Sequence, residues 1–562
     1  MFRKSKKAEQ LNLFASPVAL LAGKSQTFYQ DTKAWHNLFR NQVTMRINES
    51  IFQPLFCKDN GSPNASIRVM IAMMVLKEAE GLSDQKLFEN CQFNILFRSA
   101  LGLHNTDDPI PAESTYYLFR KRINDYAKQH DENLFSTAFA QITKEQCLAF
   151  SVSGKRIRMD SKLMGSNIAW LGRYELIHET LRIFYRQINT SPILDKADKA
   201  RLDELLKLEG NKVVYTCSSE EVQSRLQELG ILIYKILPLF SSLSSTSEAY
   251  QTLQQVFNQQ YQVDEEKLVT PLEKEKRSAQ SIQSPHDTDC HYRDKDGQKV
   301  KGYSMNVTES CDDDGDDKPS LNLIAHVDVK NVSTSDVAFF QDNVQKAQEV
   351  VPQKIETVHT DGAYHSPENQ EFCKKNVIRL HLNAIQGTKG RFQFSYSENG
   401  DLIIFDPVDN KNVDYQVIIG KDGVRKWRIK TTKWFRYLFQ KDIDNYLIRK
   451  EIEETPIETL QYRNNVEATI FQLGFHYPNA KSRYRGMIKH QMWANIRCLW
   501  VNFVRIWKYT EQLCQRTSLS GKIVLSEGVA EAFFAFITFF KELLRPIPLA
   551  TQNIRLSASW GN

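Results

Sequence analysis

The sequence predicts an α/β protein. A mixed five-stranded sheet is flanked by helices, carries a helical insert and a β-rich insert, and follows an all-helical region. Three observations predict it. From about 150 to 370 the texture runs strand, long helical stretch, strand, strand, helix, strand. Strands joined by short connections pair antiparallel, and a helical crossover returns a parallel strand, so the sheet is mixed. Before 150 the apolar residues follow a helical period, and from 375 to 450 short β-branched and aromatic runs dominate. At 562 residues the chain exceeds what one core supports.

The first elements are helices. Ile67, Met70, Ile71, Met74 and Val75 recur at helical spacing and make one apolar face. "GLSDQKLFENC" restarts a helix with Ser83 as N-cap. "STYYLFRKRINDY" starts another with Ser114 as the expected cap, and carries Arg120, Lys121 and Arg122. A short helix, a turn and a basic helix suit docking on DNA, and they equally suit a solvated bundle face.

"KRIRMDSKLMGSN" reads as a short strand ending at Asp160. From 170 to 280 the chain reads as helical, with "NKVVYTC" its longest strand-like run. Strands return at "VKGYSMNVTES" and "LNLIAHVDVKN", separated by five aspartates between Asp312 and Asp317 that read as a solvated hairpin loop. A helix then places Phe340, Val344, Ala347 and Val351 on one face. The strand "KIETVHTD" ends at Asp361, followed by Gly362. Past the β-rich stretch, Tyr462, Val466, Ile470 and Leu473 form an apolar helix face, with Arg463 and Glu467 one turn apart beside it.

Composition narrows function. Hydrophobic residues make 41% and charged residues 25%, ordinary globular usage, with a net charge of +6. Nine dispersed cysteines without a zinc spacing read as reduced thiols, hence a cytoplasmic location. Glu9, Asn12, Ser16 and Pro17 break up the basic N-terminal stretch, against a secretory signal. The most apolar run, Ala532 to Phe540, is too short to span a bilayer.

Charge distribution says more. No acid lies between Glu467 and Glu511, while Lys481, Arg483, Arg485, Lys489, Arg497, Arg505 and Lys508 do. "KDGVRKWRIKTTKWFRY" holds seven Lys or Arg, including Arg425, Lys426, Arg428 and Lys430, interleaved with Trp427, Trp434, Phe435 and Tyr437. Cations neutralise phosphates and aromatic rings stack on unpaired bases. Asp160, Asp361 and Glu467 stand 201 and 106 residues apart, so only folding joins them. Together they suit two divalent cations in phosphoryl transfer. Separately, each suits a turn or an ion pair, and both readings stay open.

These motifs resemble those of bacterial insertion-sequence DDE transposases, over about residues 40 to 510. "NASIRVMIAMMVLKEAEGLSDQKLFENCQFNILFRSALGL" through "PAESTYYLFRKRI" is similar to the helical N-terminal domain of InsH-type transposases. "RMDSKLMGSNI", "DGQKVKGYSMNVTES", "TVHTDGAYHSPEN" and "YRNNVEATIFQLG" resemble the first-aspartate, Gly-Tyr, second-aspartate and glutamate motifs. The resemblance implies an RNase H-like core in which Asp160, Asp361 and Glu467 bind two Mg²⁺ or Mn²⁺ ions. It implies cleavage at element ends, strand transfer into target DNA, and a homodimer on double-stranded DNA. Arg463 matches the arginine of the Tyr-Arg-Glu-Lys signature, whereas Leu460 and Gly474 replace its tyrosine and lysine. The missing basic role falls to Lys481, Arg483 or Arg485, without a choice among them. Further DNA contacts are expected from Arg120, Arg122, Arg425, Lys426, Arg428, Lys430 and Trp434. A nuclease of the same fold without strand transfer, or a DNA-binding regulator with a dead core, are the alternatives.

The expected organisation is a helical DNA-binding and dimerisation domain at 1–150, followed by a core in three pieces at 151–170, 285–374 and 455–510. A helical insert fills 171–284, a basic β-rich insert 375–454, and a helical tail 511–562.

Overall fold

The computed structural model describes residues 1–4, 16–57, 61–295, 297–312, 320–385, 387–420, 423–430, 434–474 and 481–520. Most of the aspartate run and all of Ala532 to Phe540 lie outside them. Residues Met1–Trp507 form one compact unit and Lys508–Asn562 another.

The N-terminal region is helical, as its periodicity predicts. Helix α1 (Ile67–Glu80) is capped by the Ser66 hydroxyl and ends at Gly81 in the left-handed conformation. The predicted stripe is only part of its contact surface: every residue from Ile67 to Ala79 except Arg68 is buried. Helix α2 (Asp84–Phe93) begins at Ser83, whose hydroxyl accepts from the Lys86 amide, as expected. Helix α3 (Glu113–His130) departs from expectation, because Ala112 is its N-cap and Ser114 lies inside its first turn. Helix α4 (Leu134–Ala149) leads into the sheet. One apolar cluster joins α1 and α4 to the sheet and to a long helix further on, so the helical region and the sheet share a core.

Strand β1 (Arg156–Gly165) is longer than predicted. It runs past Asp160 because β3 pairs with it antiparallel all the way to Gly165. The helical insert follows with its own apolar core, built on helices such as Arg173–Ile188 and Ser219–Leu239. Its strand-like run "NKVVYTC" is helical from Gly210 to Thr216, with Val213 buried in that core. Tertiary burial outweighs the β preference of the valine pair.

Strands β2 (His291–Lys295), β3 (Gln298–Ser310) and β4 (Ile324–Asn331) follow, then helix α5 (Phe340–Val350) and strand β5 (Thr357–Thr360). Helix α6 (Pro367–Asn376) and strand β6 (Arg379–Leu382) complete the sheet. The order is β4-β3-β1-β5-β6, with β2 pairing the first part of β3, so six strands replace the expected five. Strands β1, β3 and β4 are antiparallel neighbours, while β5 and β6 run parallel to β1. Phe340, Val344, Ala347 and Val351 pack with Ile157, Met159 and Val358 on one face of the sheet.

The β-rich insert holds two three-stranded sheets. The first comprises β7 (Gln393–Tyr396), β8 (Leu402–Asp406) and β9 (Lys411–Asn412). The second comprises β10 (Tyr415–Ile419), β11 (Arg425–Lys430) and β12 (Phe435–Phe439). Helix α7 (Gln440–Glu454) shares their apolar core through Ile443. Helix α8 (Asn464–Leu473) carries Glu467, and helix α9 (Met487–Ser520) follows. No described helix is long and apolar enough to cross a membrane.

Candidate active site

Register alone levels the two aspartates. Parallel strands β1 and β5 pair Arg158 with His359 as the last rung. Two residues on along each strand stand Asp160 and Asp361. Neighbouring strands lie about 4.8 Å apart, so the two carboxylates emerge side by side. The side-chain period of two then puts both on the sheet face of Arg158 and His359.

That face meets α8. The alternating charges of β1, Arg158, Asp160 and Lys162, each find a partner there. Arg158 Nη1 donates to the Tyr462 carbonyl at 2.8 Å, and Lys162 Nζ to the Ile470 carbonyl at 3.2 Å. Between them Arg463 Nη2 lies 3.3 Å from Asp160 Oδ2 and 3.7 Å from Asp361 Oδ2, while its Nη1 lies 3.6 Å from Glu467 Oε1. Three carboxylates from distant parts of the chain thus surround one guanidinium.

Exposure grades across the cluster. Side-chain exposure is 14% at Asp160, 32% at Asp361 and 62% at Glu467. Burial, with the nearby charges of Asp361 and Asp336, pushes the Asp160 carboxyl up to about 6, against the opposing pull of Arg463 and the Ser161 amide. Three carboxylates face one guanidinium here, a formal excess of negative charge. Among the described residues no three His, Cys, Asp or Glu side chains stand close enough to hold a metal ion as they are placed.

The turn after β5 fixes Asp361. Its Oδ1 accepts the Ala363 amide at 2.9 Å and caps a single 3₁₀ turn, Gly362–Tyr364. Gly362 is needed for space, not for an unusual backbone angle. A Cβ there would fall 1.9 Å from the Ala384 carbonyl oxygen. Tyr364 is fully buried, and its hydroxyl hydrogen-bonds with Ser161 and Asn306 on the face opposite the carboxylates. His359 is buried against His381, with ring centroids 4.9 Å apart, and burial lowers its pKa to about 3.

Sequence reasoning missed the anchor beneath the site. Glu309 on β3 is completely buried and accepts from Arg158 Nε at 2.6 Å and Arg505 Nη1 at 2.7 Å. The Thr469 hydroxyl donates to the same carboxylate at 2.9 Å, and Arg505 also reaches Thr469. Burial alone would raise the Glu309 carboxyl, but the two arginines outweigh it and hold it below the ordinary range. This cluster ties α8 to β1 and β3 within two residues of both Asp160 and Glu467. Nothing in the sequence sets Glu309 or Arg158 apart, since both lie in strands that already carry several charged and polar residues.

Lys162 was missed as well. A Cβ at Gly474 would lie 2.2 Å from Lys162 Nζ, so the glycine admits the ammonium to the C-terminal end of α8. Positive charge there complements the helix dipole. The three residues expected to replace the signature lysine each donate to backbone: Lys481 to Ile168 O, Arg483 to Gly81 O and Arg485 to Asn167 O.

The remaining expected DNA contacts divide. Arg120 is half-buried, 3.8 Å from Asp84, with its guanidinium over Tyr116. Arg122 is exposed and lies over Phe56. On β11, Lys426, Arg428 and Lys430 share one sheet face, and Arg425 stands on the other, over Trp427. Trp434 is 79% exposed.

Residues 31–122 match the family model of a transposase domain (DUF772). This supports a transposase family. The matched segment spans α1, α2 and the start of α3, including Arg120 and Arg122. No curated protein and no solved structure matches the chain.

Proposed function

We propose that this chain is a DNA transposase that cleaves phosphodiester bonds at the ends of a mobile element and joins the freed 3′-hydroxyls to target DNA. The carrying observation is the convergence of Asp160, Asp361 and Glu467 on Arg463, in a chain whose N-terminal segment matches a transposase domain. Three antiparallel strands followed by two parallel ones, with the aspartates on adjacent strands, support an RNase H-like core.

The donor set fits hard divalent cations, since it offers carboxylate oxygens and excess negative charge. Asp160, Asp361 and Glu467 would hold Mg²⁺ or Mn²⁺. Such ions supply activation of the attacking water or 3′-hydroxyl and stabilise the leaving oxygen. Asp160 and Asp361 are the rigid members, one on a strand and one in a capped turn. Glu467, mostly exposed on a short helix, is the adjustable one. Arg463 provides the countercharge that keeps the three carboxylates together, and its guanidinium is suited to a DNA phosphate. Exposed Arg122 provides a contact to the duplex, and a homodimer would hold two element ends.

One observation favours a regulator with a silent core: among the described residues no three ligand-type side chains are already close enough for an ion, and Arg463 pairs with the three carboxylates instead. Cleavage of uncut element ends and strand transfer of pre-cleaved ends, assayed side by side, separate the readings. Joined product that requires Mg²⁺ and disappears in Asp361→Ala supports the transposase. Cleavage without joining indicates a nuclease, and DNA binding with neither activity indicates the regulator.

A further inference from the structure

We infer that the outer face of the β10-β11-β12 sheet is a binding platform for unpaired DNA, distinct from the duplex contacts expected elsewhere. This deepens the transposase reading and rests on it. Antiparallel register places Lys426, Arg428 and Lys430 directly across from Phe439, Tyr437 and Phe435. All six therefore lie on one face, a rail of three cations beside a rail of three rings. Phe435, Tyr437 and Phe439 are 53%, 48% and 38% exposed. The opposite face carries Trp427, Ile429 and Leu438, which are buried in the insert's core with Ile443 of α7. The rings are thus not core residues that happen to reach the surface. They form a second aromatic row that the apolar core does not take up.

Arg428 stacks on Phe435 with its guanidinium carbon 3.7 Å from the ring centroid, and the Lys426 ammonium lies 5.6 Å from the Phe439 centroid. The described residues of β10, β11 and β12 include no Asp or Glu, so Lys426, Arg428 and Lys430 are the charged groups these strands place on that face. That charge suits a phosphate backbone.

Spacing selects the form of the nucleic acid. Alternate residues of a strand stand about 6.7 Å apart. Stacked bases stand about 3.4 Å apart along a strand. A duplex therefore offers nothing to these rings, since both faces of its bases are already covered. A single strand with its bases splayed, one to a ring, matches them, and its phosphates run along the adjacent lysines and arginine. Stacking of this kind tolerates any base. In a transposase such a platform would hold a strand freed when an element end is opened.

The test is fluorescence anisotropy with the full chain, without divalent metal. The probes are a labelled oligothymidylate of about twelve nucleotides and a duplex of equal length. Phe435→Ala and Tyr437→Ala are each expected to weaken oligothymidylate binding about tenfold, with duplex affinity kept. Lys426→Gln with Lys430→Gln should flatten the salt dependence of single-strand binding by about 1.4 in log–log slope. Both rings are exposed, so circular dichroism of these variants should match the wild type. Wild type that binds the duplex but not the single strand overturns the platform alone. Unchanged single-strand binding in both ring variants, or equal loss on both probes, also overturns it. Wild type that binds neither probe overturns the platform and the DNA reading together.

Discussion

Glu309 is buried with two arginines and a threonine hydroxyl as its partners. Removing its charge leaves buried Arg158 and largely buried Arg505 without this carboxylate partner. Breaking a buried pair in this way costs about 3–5 kcal/mol. Glu309→Gln should therefore lower stability by that amount in chemical denaturation. A change below about 1 kcal/mol would mean the cluster behaves like a surface pair. At this scale the site was partly legible. Asp361 announced itself by a strand running into Asp-Gly, and Glu467 by its arginine one turn earlier. Glu309 did not, because a buried carboxylate and an exposed one look alike until their partners, here 151 and 196 positions away, are known.

Helix α8 shows the same dependence one level up. Its ten residues are too few to hold a helix in water unaided. Its position comes from tethers: Lys162 at its C-terminal end, Arg158 at the Tyr462 carbonyl before it, and Thr469 on Glu309. Thr469→Val keeps the shape of the side chain and removes one tether. We expect it to weaken Mn²⁺ binding several-fold, as followed by paramagnetic resonance, because Glu467 loses its fixed approach to the aspartates. Unchanged Mn²⁺ affinity would show that the hydroxyl serves stability only. Elements were legible where the pattern was local. The α1 and α5 faces and the Ser83 cap follow from residues near in sequence. The true length of β1 did not, since its second half is strand only because β3 lies beside it. The β preference of "NKVVYTC" is likewise overridden by tertiary burial, with Val213 in the insert's core.

Over the whole molecule, buried histidines set the response to acid. His36, His178, His359 and His490 are at most 2% exposed. Burial lowers the pKa of each. A histidine whose folded pKa lies below its unfolded value near 6.5 stabilises fully above that value. The contribution is lost as pH falls through it. Asp160 acts in the opposite sense, since its carboxyl is raised and takes up a proton on folding as pH falls toward 6. Four further histidines, His104, His291, His326 and His381, are lowered as well, and these eight outweigh the three raised carboxyls, Asp160, Asp328 and Glu80, so the melting temperature should drop between about pH 7.5 and about pH 5. A constant or rising melting temperature would mean the imidazoles gain compensating partners on protonation. The overall architecture was legible in the order of strands and helices. The core shared between the N-terminal helices and the sheet was not, because it is built from side chains hundreds of residues apart.

The proposed function requires Asp160, Asp361 and Glu467 to form one cation site. Iron-directed backbone cleavage tests it most directly. With Fe²⁺, ascorbate and peroxide, hydroxyl radicals cut the chain beside bound iron. A single shared site gives cuts next to Asp160, Asp361 and Glu467 in one preparation, all suppressed by excess Mg²⁺. Cuts confined to a single one of these positions, or centred on the aspartate run at 312–317, would contradict it.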